Sequence, residues 1–94
     1  MRVVYTLQNI RFEWDSRKAE VNRQKHKIAF ETACEAFFDP FLQQDEDEFV
    51  DGELRERVIG MTESWQLLYA VYTLRTDRIR LISARPATRQ EKYV

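Results

Sequence analysis

His26 is the only histidine of the chain, so any reaction that moves a proton through an imidazole must use this residue. It follows Asn22 by four residues and Ala19 by seven, which places all three on one face of a predicted helix. That face is expected to pack against the rest of the protein, where a histidine also serves as a structural hydrogen-bonding group. The sequence therefore leaves a catalytic and a structural role open for His26.

Lys18, Asn22 and Lys25 recur at helical spacing on a neighbouring face of the same segment. Two ammonium groups on one helical stripe repel each other unless an anion lies between them. The pattern thus indicates a candidate anion-binding stripe at Lys18 and Lys25. A solvated helix flank without a ligand is the alternative, because exposed charged side chains need no partner.

Arg80 and Arg85 lie inside a predicted strand over residues 78–85. Strict alternation places Arg80 on one face of this strand, with Ile82 and Ala84, and Arg85 on the other face. A guanidinium group presents paired donors that match phosphate oxygens. The alternative is ion pairing with the acidic residues in the middle of the chain, and composition alone does not separate the two.

Arg55 and Arg57 are the only basic residues between positions 31 and 63, a segment that holds eleven acidic residues. In a strand of period two both arginines point the same way, with Glu53 and Glu56 close by. We expect ion pairing to be the main use of Arg57.

The net charge of -1 conceals a separation of charge along the chain. Residues 1–30 and residues 64–94 each carry a net charge of +4, whereas residues 31–63 carry -9. If the two basic ends meet in the fold they form one positive face, which suits a polyanionic partner. Charged faces that are merely solvated give the same composition.

A chain of 94 residues with 44% hydrophobic residues is expected to form one globular domain over residues 1–94. No uncharged run is long enough to span a bilayer and no secretion signal is evident, so we expect a cytoplasmic protein without membrane contact. The single cysteine, Cys34, excludes an internal disulfide, and no residues have the spacing of a metal site. We therefore expect neither a metal nor a cofactor.

The elements that position these residues follow from the apolar pattern. An alternating segment ends at Asp15, which is a suitable N-cap for a helix over residues 16–27. Apolar residues over 30–38, with Cys34 among them as a small core residue, predict a second helix that ends at Asp39-Pro40.

The rest of the chain changes to a strand pattern. The acidic residues 45–48 are expected to form a loop, Asp51-Gly52 a turn, and the segments up to residue 85 a meander of strands. Thr88 and Glu91 have the spacing of a capping box at the start of a last short helix. The sequence thus predicts the α+β class: two N-terminal helices packed on an antiparallel sheet of four to five strands, with a short C-terminal helix.

Several pieces of the chain recur together in one known family. They include Phe12-Glu13-Trp14-Asp15, Lys25-His26, Phe37-Phe38-Asp39-Pro40, Ile82-Ser83-Ala84-Arg85 and Ala87-Thr88. In this order and spacing, from about Phe12 to Tyr93, the chain resembles the BrnT family of toxins of type II toxin–antitoxin systems, with a RelE-like ribonuclease fold. Family members usually have glycine after the Lys-His pair, where this chain has Lys27, which predicts a strained or differently shaped turn.

The resemblance implies a metal-independent endoribonuclease that cleaves RNA through its 2′-hydroxyl and arrests translation. It implies neutralisation by a BrnA-type antitoxin, so that contact with DNA is only indirect, through that antitoxin. It assigns proton transfer or orientation of its neighbours to His26 and phosphate binding to Arg80 and Arg85. The residues that it assigns to substrate binding are Lys18, Lys25 and Arg57.

The competing hypothesis is a non-catalytic protein-interaction module, or an inactive homologue of the toxin. The ribonuclease hypothesis requires one pocket that grips a phosphodiester. We therefore expect Lys25, His26, Arg80 and Arg85 to lie together, without a carboxylate holding each of them.

Overall fold

The computed structural model of the chain describes residues 1–93. In chain order the elements are β1 (Arg2–Leu7), β2 (Ile10–Asp15), α1 (Ser16–His26), α2 (Phe30–Ala36), β3 (Gln43–Val50), β4 (Glu53–Met61), β5 (Leu67–Arg75), β6 (Arg78–Pro86) and a 3₁₀ turn (Glu91–Tyr93).

The six strands form one sheet in the order β1-β2-β6-β5-β4-β3. Neighbouring strands run antiparallel except for β2 and β6, which pair in parallel at Phe12–Ile79 and Glu13–Arg80. The chain reaches β6 only after both helices and three further strands, a long connection of the kind that parallel pairing requires. The predicted α+β class is confirmed, whereas the predicted antiparallel sheet of four to five strands is wrong.

Two strands account for the difference in strand number. β1 and β2 form a hairpin whose turn residues, Gln8 and Asn9, have positive φ angles of 49° and 67°. Such a turn usually contains glycine, which the sequence lacks there, so the hairpin gave no signal. The segment predicted as an acidic loop is the edge strand β3, whose side chains are almost all exposed. Charged side chains on an edge strand hinder pairing with other molecules.

The C-terminal helix was also predicted wrongly, because the structure has only the 3₁₀ turn there. The capping box itself does form. Glu91 accepts a hydrogen bond from the Thr88 N–H at 2.6 Å, and the Glu91 N–H donates to the Thr88 hydroxyl at 3.3 Å. The box therefore fixes the Glu91 carboxylate near the end of β6.

α1 begins and ends at residues that the sequence singled out. The Asp15 carboxylate accepts a hydrogen bond from the Arg17 N–H, which confirms Asp15 as the N-cap. At the other end Lys27 adopts the left-handed conformation, with φ 62°, and its N–H donates to the Arg23 carbonyl. A residue with a Cβ atom costs about 1 kcal/mol in that conformation, so the turn is strained as expected.

The apolar core lies between the two helices and one face of the sheet. Cys34 is fully buried there, as predicted, and burial raises the pKa of its thiol. Trp14 and Phe30 meet edge to face with their ring centroids 5.6 Å apart. Neither α1 nor α2 covers the opposite face of the sheet, and we call it the open face.

Asn22 joins α1 to the sheet. Its buried side-chain amide donates to the Ala84 carbonyl at 2.8 Å and to the Ile28 carbonyl at 3.1 Å, and accepts from the Ala84 N–H at 3.0 Å. β2 pairs with β6 only at Ile79 and Arg80, so no strand lies beside Ala84 on that side. The Asn22 amide takes the place of a neighbouring strand and satisfies this part of the β6 backbone.

Candidate functional site

A β-bulge in β6 sets the direction of its arginines. Val71 of β5 pairs with Ser83, and the next residue, Tyr72, pairs with Leu81. Ile82 is therefore an extra residue in β6, and the alternation of side chains restarts after it.

The bulge brings Arg80 and Arg85 to the same face of the sheet. Arg80 pairs with Thr73 and Arg85 with Tyr69, and these β5 residues alternate with the β5 residues that face the core. Both arginines thus lie on the open face. The prediction that they point to opposite faces is wrong, because strict alternation does not hold across a bulge.

Arg85 is held between an aromatic ring and a carboxylate. Its guanidinium carbon lies 4.2 Å from the centroid of the Tyr69 ring. Two of its nitrogens each donate to one oxygen of Glu91 at 2.8 Å, the bidentate geometry that arginine forms with carboxylates and phosphates. The Tyr69 hydroxyl in turn donates to Asp45 at 3.0 Å.

Arg57 lies on the open face of β4, on the other side of β5 from Arg85. A guanidinium nitrogen of Arg57 is 2.6 Å from a Glu48 carboxylate oxygen. The expected ion pairing of Arg57 is confirmed, with a partner on β3 rather than one of the nearest acids in sequence. We call Arg57, Tyr69, Arg85 and Glu91 the Arg85 cluster.

The contacts of the Arg85 cluster set its charge states. The hydrogen bonds from Arg85 outweigh the effect of burial and lower the pKa of Glu91 to about 2. Burial, together with the hydrogen bond to Asp45, raises the pKa of Tyr69. At neutral pH the cluster therefore contains a cationic Arg85, an ionised Glu91 and a protonated Tyr69.

The Arg85–Glu91 pair is expected to make the free energy of unfolding depend on pH in the acidic range. Folding lowers the pKa of Glu91 from 4.5 to about 2, so the pair stabilises the fold above about pH 4.5 and loses this effect as the pH falls towards 2. We expect the difference in free energy of unfolding between the parent and Glu91→Gln to shrink over that range. Urea unfolding at a series of pH values measures it, and a difference that stays constant would contradict the role of the pair.

Arg80 lies further along β6, beside a buried carboxylate. Glu13 of β2 is only 5% exposed, and it accepts a hydrogen bond from Arg80 at 2.7 Å and one from Arg78 at 3.2 Å. Burial alone would raise the pKa of Glu13, but the two arginines outweigh it and the pKa is lowered. At about 3.3 Å per residue, less at the bulge, Arg80 and Arg85 are about 15 Å apart.

Lys18, Lys25 and His26 belong to α1, which packs on the core side of the sheet. Both lysines are exposed, and His26 is half-buried without a side-chain hydrogen bond to any described residue. The expected single pocket of Lys25, His26, Arg80 and Arg85 does not form, because Arg80 and Arg85 lie about 15 Å apart along β6. Among the described residues no hydrogen bond joins Lys25 or His26 to either arginine. Moreover, Arg80 and Arg85 are each held by a carboxylate.

The sequence did not assign the partners of these arginines to the sites, among them Glu13, Tyr69 and Glu91. The capping-box spacing was a signal for the position of Glu91. Tyr69 and Glu13 reach the arginines only through the register of β5 and β2 with β6, which local patterns do not determine.

The described residues contain neither a metal-binding cluster nor a membrane-spanning helix. No group of three or more His, Cys, Asp or Glu side chains is placed to hold a metal ion. Among the same residues, no helix has the length and apolar character needed to cross a membrane.

Comparison with known proteins decides the family. Residues 14–91 match the family model described as "Ribonuclease toxin, BrnT, of type II toxin-antitoxin system". The chain belongs to the BrnT family. The resemblance seen in the sequence is thereby confirmed: this BrnT-family chain is a ribonuclease toxin of a type II toxin–antitoxin system, which implies an antitoxin protein as its partner.

A solved BrnT structure shows the same fold. The crystal structure of the Brucella abortus ribonuclease toxin, BrnT, matches with a TM-score of 0.54 and 20% sequence identity, covering 81% of this chain and 94% of that chain. At this identity the match supports the fold alone. A comparison with curated proteins gave no match.

Proposed function

We propose that this BrnT-family chain is an endoribonuclease that binds RNA on the open face, with the scissile phosphodiester at the Arg85 cluster. One observation carries the proposal: Arg57 and Arg85 flank Tyr69 on adjacent strands of a ribonuclease-family protein. Arg80, on the same face about 15 Å away, is placed to contact a different phosphate of the same strand.

The arginines supply the charge that this reaction needs. Attack of the 2′-oxygen on phosphorus forms one P–O bond and breaks the bond to the 5′-oxygen, and negative charge builds up on the non-bridging oxygens. Glu91 already occupies the Arg85 fork with two oxygens, as a phosphate would. A phosphate binds there by replacing the carboxylate or by using the remaining N–H donors of Arg85.

In our proposal Glu91 accepts the proton of the 2′-hydroxyl as the new P–O bond forms, and the departing 5′-oxygen takes a proton from solvent. The Glu91 carboxylate is ionised at neutral pH and is hydrogen-bonded to Arg85, so it lies next to the bound phosphate. As the phosphate takes over the Arg85 donors, the pKa of Glu91 rises and the carboxylate becomes a better base. Among the described residues no hydrogen bond joins His26 to the Arg85 cluster, so our proposal gives proton transfer to Glu91 rather than to His26. The roles of Lys18 and Lys25 in substrate binding stay predictions.

Membership of the BrnT family supports a proposal for the partner and for the place of action. We propose that a BrnA-type antitoxin neutralises the toxin, and that DNA is contacted only through that antitoxin. The site of action is then the cytoplasm, where cleavage of RNA arrests translation.

Cleavage in the presence of a chelator tests the proposal. We expect the purified chain to cleave a single-stranded RNA at the same rate with excess EDTA as with Mg²⁺, because arginines rather than a metal ion stabilise the developing charge. Addition of the antitoxin should stop the reaction. Cleavage that requires Mg²⁺ would contradict the arginine mechanism.

A second candidate function is supported by the ion pairs. Arg57, Arg80 and Arg85 each contact a carboxylate, as expected of an inactive homologue that only binds its antitoxin. In that case the purified chain leaves RNA intact but still binds the antitoxin. The same cleavage assay therefore separates the two functions.

A further inference from the structure

A polar depression lies on the open face, away from the Arg85 cluster, where β2, β5 and β6 come together. Its lining contains four arginines and two acidic residues: Arg2, Arg75, Arg78, Arg80, Glu13 and Asp77. Two more cations than anions line the depression. This excess makes it an attractive site for an anion.

Glu13 holds two of these arginines in position. It is buried beneath them and bonds to both Arg78 and Arg80, while each arginine side chain keeps about a quarter of its surface exposed, 25% and 26%. A guanidinium has five N–H donors, so each arginine retains donors that Glu13 does not use. The free N–H groups of Arg78 and Arg80 are therefore held in position and are partly exposed to solvent, which is the arrangement that binds a phosphate group.

The other two arginines increase the positive charge. Arg75 lies directly opposite Arg78 in the β5–β6 ladder, and like charges in that position destabilise a sheet. Arg75 is only partly neutralised, by an exposed pair with Glu53 at 3.1 Å. Arg2 is exposed at the end of β1, close enough for its charge to lower the pKa of Glu13. A bound anion would relieve this repulsion.

We propose that this depression binds a backbone phosphate of the same RNA strand that is cleaved at the Arg85 cluster. The inference rests on the proposed function. Between Arg80 and Arg85 the open face of β5 and β6 carries Thr73, Val71 and Ser83, none of which is charged. The distance of about 15 Å matches roughly four nucleotides of a stacked strand, and fewer of an extended one.

A double variant tests the depression without disturbing Glu13. Arg2→Gln/Arg75→Gln removes two charges whose side chains make no hydrogen bond to Glu13. Arg17→Gln/Arg23→Gln is the matched control, because it removes the same charge from exposed positions on α1. The probe is a labelled 12-nucleotide RNA with 2′-O-methyl groups, which cannot be cleaved, and anisotropy measures its Kd at several salt concentrations.

We expect Arg2→Gln/Arg75→Gln to weaken binding by about tenfold at low salt and to reduce the slope of log K against log salt by about 0.7, as for one lost phosphate contact. With cleavable RNA of the same length, KM should rise while kcat stays unchanged. An unchanged Kd, or an equal loss in the α1 control, would overturn the proposal.

The outcome is distinguishable from failure of the proposed function. A parent that binds the 12-nucleotide RNA through the depression but cleaves no RNA would refute the ribonuclease and leave this binding site standing. A parent that cleaves RNA, with a double variant that binds as tightly as the parent, would refute the binding site and leave the ribonuclease standing.

Discussion

Arg85→Gln is expected to lower the rate of RNA cleavage by about 10²- to 10³-fold, the usual effect of removing a donor that stabilises charge in a transition state. In this cluster Arg85 is the arginine whose two guanidinium nitrogens already bind the two oxygens of a carboxylate, that of Glu91. Its guanidinium also lies over the Tyr69 ring. Glutamine removes the charge and the fork. Single-turnover cleavage of a defined RNA measures the effect.

Loss of folding must be separated from loss of chemistry in this variant. Arg85→Gln leaves Glu91 partly buried without its partner, which destabilises the C-terminal turn. The double variant Arg85→Gln/Glu91→Gln removes both members of the pair and should remain folded but inactive. Arg23→Gln, an exposed change on α1, should cleave at the parental rate. A folded Arg85→Gln protein with parental activity would defeat the assignment.

Asn22→Ala is expected to lower the free energy of unfolding by about 3 kcal/mol. The variant loses three hydrogen bonds and leaves the N–H and carbonyl of Ala84 and the carbonyl of Ile28 without a partner in a buried region. Because Ala84 directly precedes Arg85, we also expect slower cleavage at temperatures where the variant is still folded. Chemical unfolding followed by circular dichroism measures the stability.

A neighbouring polar residue on the same helix is the control for Asn22. Gln24 is exposed and its side chain bonds only to Glu20, so Gln24→Ala should change stability by less than about 0.5 kcal/mol. If Asn22→Ala costs no more than Gln24→Ala, the amide does not substitute for a strand beside β6.

Features of the fold with a local signal were predictable from the sequence. The Asp15 carboxylate caps α1, Asp51 and Gly52 have the positive φ angles of a tight hairpin turn, and the Thr88–Glu91 box forms. Each depends on a few adjacent residues, whose side chains satisfy nearby backbone groups or tolerate a special conformation.

Features that depend on distant residues were not predictable. β3 is a strand because β4 pairs with it, although its side chains are almost all exposed and include four consecutive acidic residues. No residue type in β6 indicates the bulge at Ile82. The bulge nevertheless determines that Arg80 and Arg85 lie on the same face of the sheet.

The candidate site was predictable only in part for the same reason. The sequence identified Arg57, Arg80 and Arg85 as residues in need of a partner. It did not show that Glu13 and Glu91, outside the acidic middle of the chain, are the partners of Arg80 and Arg85.

The central claim is that the Arg85 cluster on the open face, and not His26 of α1, carries out the cleavage of RNA. The most direct test compares cleavage rates at saturating RNA for two folded variants, Arg85→Gln/Glu91→Gln and His26→Gln. The open-face site predicts a loss of at least about 10²-fold for the first variant and less than about threefold for the second. A large loss with His26→Gln, together with near-parental cleavage by Arg85→Gln/Glu91→Gln, would contradict it.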